Sequence, residues 1–275
     1  MSSDVLNTKV AQHVMKNNIM KDDFGWEVPV ESVPLPSKGV IYSPNSILHG
    51  KETLQIKAMT AQEEDILMSP ALAKDGSTII HLIKSCLIDK SIDVNELIAG
   101  DRNALMISIR VTGYGTHYPI NINCENCSKL NEVDVDLSTL EIKRLNISPI
   151  EIGKNEFSFD LPVMKKQVIF KYLNANDDKN RQAKVDFIEK HSQGLRTNNV
   201  TSFLEESIVS IDGIKDKNKI VHFVKNMPAF DSKSLRKYIN ENAPGINMKQ
   251  ECTCSYCGHK NEFNLPINSN FFWPR

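Results

Sequence analysis

The sequence predicts an α+β protein: a mostly helical body carrying a discontinuous zinc ribbon, with a helical subdomain inserted between the two halves of that ribbon. Two observations predict it. The pattern Cys124-x-x-Cys127 followed by Asn131-Glu132-Val133-Asp134-Val135 returns late in the chain as Cys254-x-x-Cys257 followed by Asn261-Glu262-Phe263-Asn264-Leu265. The stretches before and between these repeats carry apolar residues at helical spacing.

The cysteine spacing has a physical basis. Two residues between cysteines let a tight turn aim both sulfurs at one ion, and two such turns supply a tetrahedron. Cys124, Cys127, Cys254 and Cys257 are therefore the expected ligands of a structural zinc. Four thiolates leave no open position for water or substrate, which excludes a catalytic role for the metal. A redox dithiol would need a strand-to-helix setting that neither pair has. Gly258 suits the backbone of the second turn, and Ser128 stands at the equivalent place in the first. The entering strands are read as Thr116, Tyr118, Ile120, Ile122, Cys124 and as Ile246, Met248, Gln250, Cys252, Cys254. The leaving segments place Val133, Val135, Leu137 and Phe263, Leu265, Ile267 on one face. Cys252 is a fifth candidate, but one intervening residue makes a poor metal turn; Cys86, in an apolar run, reads as a buried free thiol.

The chain divides into an N-terminal arm (1–28), a mostly helical domain (29–115), the ribbon with an aromatic tail (116–150 with 246–275) and an inserted hairpin and helical subdomain (151–245). In the arm, Val5, Val10, Val14, Ile19 and Met20 give a weak helical pattern. Pro34 and Pro36 impose extended backbone, and Lys38-Gly39 a turn. Leu54 and Ile56 alternate in a strand, and Thr60-Ala-Gln-Glu63 is a capping box opening a helix through Met68. Further helices are expected over Ser77–Leu87, after Asp93, and after Asp101, with Gly100 as a stop and Asp101 as a cap. Within the insertion, Phe157, Phe159, Leu161 and Val168, Phe170, Tyr172 form a hairpin. Helices then follow over Asp177–His191, Thr201–Ser210 and Asp216–Lys225, with a last one capped by Asp231.

The chain holds 33 basic and 34 acidic side chains in 275 residues, so no global charge favours nucleic acid. No 18-residue apolar run and no export signal are present, and unpaired thiols at metal spacing fit synthesis in a reducing cytoplasm. The seven histidines form no paired metal spacing, and no nucleophile elbow or dinucleotide-binding turn occurs, so an enzyme is not expected. Phe271, Phe272 and Trp273 concentrate three rings near the C-terminus, either as anchors for a partner or as cover for the ribbon itself.

Several stretches taken in order resemble the family of T4-like bacteriophage baseplate hub subunits and hub-assembly proteins. They are Leu35-Pro-Ser-Lys-Gly-Val-Ile-Tyr42, Gly100-Asp-Arg-Asn-Ala-Leu-Met-Ile-Ser-Ile-Arg110 with Gly113-Tyr-Gly-Thr-His-Tyr118, both cysteine pairs, Pro228-Ala-Phe-Asp231 and Phe271-Phe-Trp-Pro274. Cys252 and the absence of glycine after Cys127 depart from the pattern. The resemblance implies a non-enzymatic protein of a contractile tail's baseplate or hub, assembled in the host cytoplasm from contacts with other tail proteins. The alternatives are a transient tail-assembly chaperone absent from the virion and a zinc-ribbon protein that binds nucleic acid.

Overall fold

Alternation of Leu54 and Ile56 makes one face of a short strand apolar, and both side chains are buried in the structure, a computed structural model that describes residues 18–21, 27–191, 199–266 and 269–272. That strand, β3 (Thr53–Lys57), is the third of an antiparallel sheet with β1 (Asn18–Lys21) and β2 (Glu27–Pro34) in the order β1-β2-β3. Ile19 and Met20 thus lie in a strand and not in a helix. Val5, Val10 and Val14 of the expected arm, like Ile267 and Trp273, lie outside the described residues.

Four helices follow: α1 (Ala61–Met68), α2 (Pro70–Asp75), α3 (Thr78–Cys86) and α4 (Ala99–Tyr114), the last preceded by a 3-10 turn at Val94–Glu96. Helix α4 packs against α3, β2 and β3 and buries Leu105, Met106, Ile107 and Ile109. Strands β4 (His117–Asn123) and β5 (Leu130–Asp136) form a hairpin, and β6 (Ile142–Lys143) comes after it. The hairpin of β7 (Phe157–Asp160) and β8 (Gln167–Phe170) precedes α5 (Ala175–His191) and α6 (Asn199–Ser207). Strand β9 (Ile208–Ile211) then adds to β8, giving the antiparallel order β7-β8-β9. Two more helices, α7 (Lys217–Asn226) and α8 (Ala229–Asn242), lead to β10 (Gly245–Ile246), which pairs with β6. Backbone hydrogen bonds therefore join the chain on either side of residues 151–245. A final hairpin, β11 (Lys249–Thr253) and β12 (Lys260–Asn264), is followed by a 3-10 turn at Ser269–Phe272.

Several further expectations need correction. The described residues are 41% helical, with eight α-helices among several small sheets, so the body is mixed and not mostly helical. Ile208 and Val209, expected at a helix end, lie in β9, where Ile208 and Ile211 are buried opposite Phe170 and Val168; β-branched residues in a buried edge position favour the pleated backbone. Gly100 does not stop a helix. It sits inside the first turn of α4, and a Cβ there would lie 1.9 Å from the Pro244 carbonyl oxygen, so the close approach of two backbones requires glycine.

The carboxylates near helix starts share a pattern. Glu63, Asp101 and Asp231 each occupy the third residue of a helix, and each is fully buried. Glu63 accepts from the Thr60 N–H (2.9 Å) as the capping box predicts, and also from Lys57 Nζ (2.7 Å) and Ser85 Oγ (2.5 Å). Burial pushes its carboxyl up, but these donors hold it down at about 2. Asp101 and Asp231 are not local caps. Asp101 accepts from the Ser37 N–H (3.0 Å), Ser37 Oγ (2.6 Å) and Tyr42 Oη (2.5 Å), which fastens the Leu35–Tyr42 loop to α4. Asp231 accepts from the N–H groups of Val163 (2.7 Å) and Met164 (3.0 Å), which fastens α8 to the β7-β8 turn. First-turn carboxylates face the positive end of the helix dipole, so each clamp also favours its own helix.

Candidate metal centre

The two cysteine pairs sit at the tips of the β4-β5 and β11-β12 hairpins, in turns with the same hydrogen bonds. Ser128 N–H donates to the Cys124 carbonyl and Gly258 N–H to the Cys254 carbonyl, both at 2.9 Å. Cys124 N–H donates to the Lys129 carbonyl (3.0 Å) and Cys254 N–H to the His259 carbonyl (2.8 Å). Gly258 has φ +71°, and Ser128 adopts the same left-handed region at φ 57°, a conformation that costs a side-chain-bearing residue about 1–2 kcal/mol.

These turns bring Cys124, Cys127, Cys254 and Cys257 together, with all four sulfurs within 4.8 Å of one another. The Cys124–Cys257 and Cys127–Cys254 Sγ–Sγ distances are both 3.7 Å. That is far from a disulfide's roughly 2.05 Å. It matches the edge of about 3.8 Å that a tetrahedron with metal–sulfur bonds of about 2.3 Å must have. The donor set therefore fits one tetrahedral, thiophilic ion. Cys252 is not in this cluster, and Cys86 is a fully buried free thiol that burial pushes up to about 12.

The electrostatics also favour a cation. The Cys127 N–H is the main influence lowering the Cys124 thiol. At Cys254, burial alone would raise the thiol, but the N–H groups of Tyr256 and Cys257 outweigh it and hold it at about 6. Cys127 is lowered by the Lys129 N–H, yet burial and the three neighbouring sulfurs push it up to about 11. Four thiolates this close repel one another, and a dication supplies the missing counter-charge.

Asn131 and Asn261, the same offset after each second cysteine, clamp the hairpins reciprocally. Asn131 Oδ1 accepts from the N–H (3.0 Å) and Oγ (3.1 Å) of Ser255 in the second turn, while its Nδ2 donates to the Lys129 carbonyl (3.0 Å). Asn261 Oδ1 accepts from the Glu125 N–H (2.9 Å) in the first turn, while its Nδ2 donates to the His259 carbonyl (3.3 Å). Both are buried. The sequence assigns them no role, although their identity at matching positions of the repeat was the available signal.

Phe271 and Phe272, expected as partner anchors or as cover for the ribbon, have no exposed surface. Phe271 packs on Tyr118 of β4 with ring centroids 5.0 Å apart and on Phe272 at 5.4 Å. Arg110, itself buried in α4, donates to the carbonyls of Phe271 (3.2 Å), Gly115 (3.0 Å) and His117 (3.2 Å). It thereby joins the end of α4, the start of β4 and the C-terminal turn. These rings pack within their own chain beside the first hairpin and are not available as an exposed anchor.

No described helix is long and apolar enough to cross a membrane. No curated protein and no solved structure matches the chain. A family model described as T4 bacteriophage base plate protein matches residues 40–273, a span that holds Asp101 with its donor Tyr42, both cysteine turns and the Arg110–Phe271 junction. Because the match covers most of the chain, the protein belongs to the T4 bacteriophage base plate protein family.

Proposed function

We propose that this chain is a non-enzymatic structural or assembly protein of the tail baseplate or hub of a contractile-tailed bacteriophage, acting as a zinc-stabilised adapter between other tail proteins. The convergence of four cysteine sulfurs from remote segments, within a base plate family member, carries this reading. Cys124, Cys127, Cys254 and Cys257 hold the zinc, which supplies a cross-link and no chemistry, since four thiolates leave it no open coordination position. The body (29–115), the ribbon (116–150 with 246–275) and the inserted unit (151–245) then form one rigid block in the assembled tail. The formal charge of −1 gives no support to nucleic acid as the partner.

Metal analysis of protein purified without chelator is expected to find one zinc per chain, lost in a Cys124→Ser/Cys254→Ser variant. Zinc well below one equivalent, or full retention in that variant, overturns the metal assignment. Mass spectrometry of purified virions is expected to find the chain in the baseplate. Its presence in assembly intermediates and absence from virions assigns the transient chaperone role instead.

A further inference from the structure

The end of the inserted unit carries apolar side chains that the fold does not cover. Val163, Met164, Ile214 and Phe230 are 53%, 37%, 47% and 62% exposed. They come from three separate elements. The Asp231 carboxylate ties the start of α8, and so Phe230, to the backbone of Val163 and Met164. Met164 and Ile214 in turn line one groove of about 350 Å³ with Ile211, Ile220 and Phe223, and its wall is almost wholly apolar. Single exposed apolar residues are ordinary, but a cluster in which Met164 and Ile214 open onto an apolar groove marks an interaction surface.

Charge selects the occupant. Lys219 stands on the groove's edge, Lys165 and Lys215 directly follow Met164 and Ile214, and Lys233 lies one turn from Phe230 on α8. All four are exposed, and none has an ion-pair partner among the described residues. The carboxylates nearby are already engaged. Asp212 pairs with Lys166 at 2.6 Å, Asp216 accepts from the Lys219 N–H at 2.8 Å, and Asp231 is buried in its clamp. An apolar floor with Lys219 on its edge, and exposed lysines next to Met164, Ile214 and Phe230 in the chain, complements a segment with apolar anchors flanked by carboxylates.

We infer that this groove docks an acidic, apolar-faced segment of a different protein of the tail. The inference extends the adapter reading by naming one of its surfaces, and the groove shares no residue with the cysteine centre. Zero-length carbodiimide coupling, which joins a lysine amine to a carboxylate in contact with it, tests it on the full chain in extracts of infected cells and in purified tails. Mapped by mass spectrometry, Lys165, Lys215, Lys219 or Lys233 is expected to couple to Asp or Glu in an apolar-rich segment of another tail protein. An Ile214→Glu/Phe230→Glu variant, whose positions are exposed and which should melt nearly unchanged, is expected to lower that coupling on the order of tenfold. Coupling instead to a second copy of this chain, recovery of nucleic acid or lipid on these lysines, or equal amine reactivity in the free and assembled chain overturns it. Failure of the adapter reading shows separately, as absence of the chain from both tails and assembly intermediates.

Discussion

The two cysteine hairpins share their turns and their reciprocal asparagines but differ in what lies beneath them. The first has seven-residue strands and rests on a real core: Tyr118, Ile120, Val135 and Leu137 are buried, Phe271 packs on Tyr118, and Arg110 ties the base of the hairpin to α4. The second has five-residue strands, and its buried side chains are Cys254 and Asn261, with Leu265 just beyond the strand. An isolated two-stranded hairpin is marginal in water. The second hairpin, whose contact with the core is through half-buried Phe263 with Met248 and Leu265 at its base, therefore depends more on its attachments through the sulfurs and the asparagines than the first does.

The largest expected effect comes from Cys254→Ser. With zinc held as proposed, its loss should leave β11–β12 open to hydrogen exchange, a local destabilisation on the order of 5 kcal/mol or more, while β4–β5 keeps much of its protection. Equal loss of protection in both hairpins would break the comparison. Next, Phe271→Ala should cost about 3–5 kcal/mol, read as a fall in melting temperature of the zinc-loaded protein, because it empties a buried site under the first hairpin. Retention of wild-type stability would show that Tyr118 needs no such support.

The asparagines sharpen the comparison further. Asn131→Ala leaves the Ser255 N–H without its acceptor, and Asn261→Ala does the same to Glu125, each at about 1–3 kcal/mol. Competition with a chelator should show weaker zinc retention in both variants, and the double variant should depart from additivity since both clamps serve one junction. Strict additivity would mean that the two act independently. The smallest effects concern the turns. Ser128→Gly relieves a left-handed backbone and should stabilise by up to about 1 kcal/mol, whereas Gly258→Ala should cost about the same. No neighbouring atom lies within 4 Å of a Cβ at Gly258, so the second change reports backbone strain alone.

The sequence by itself determined the local features. Spacing named the four cysteines, alternation placed β3, β4, β5, β7 and β8, and the residues that start and stop helices placed α1, α3, α5 and α7 within a few residues. Those signals work because they arise within one turn or one hairpin. Only the tertiary structure decided where the ambiguous groups went. Asp101 and Asp231 look like caps in sequence, yet each reaches across to a distant backbone once buried. Gly100 looks like a helix stop until Pro244 arrives against it. Ile208 and Val209 suit a helix or a strand, and the open edge of β8 settled the choice. The terminal phenylalanines look like a free sticky end until Arg110 and Tyr118 enclose them. In each case the residue's chemistry was legible in the chain, but its partner lay far along it. A burial or hydrogen-bond requirement states only that a partner must exist, and the fold chooses which.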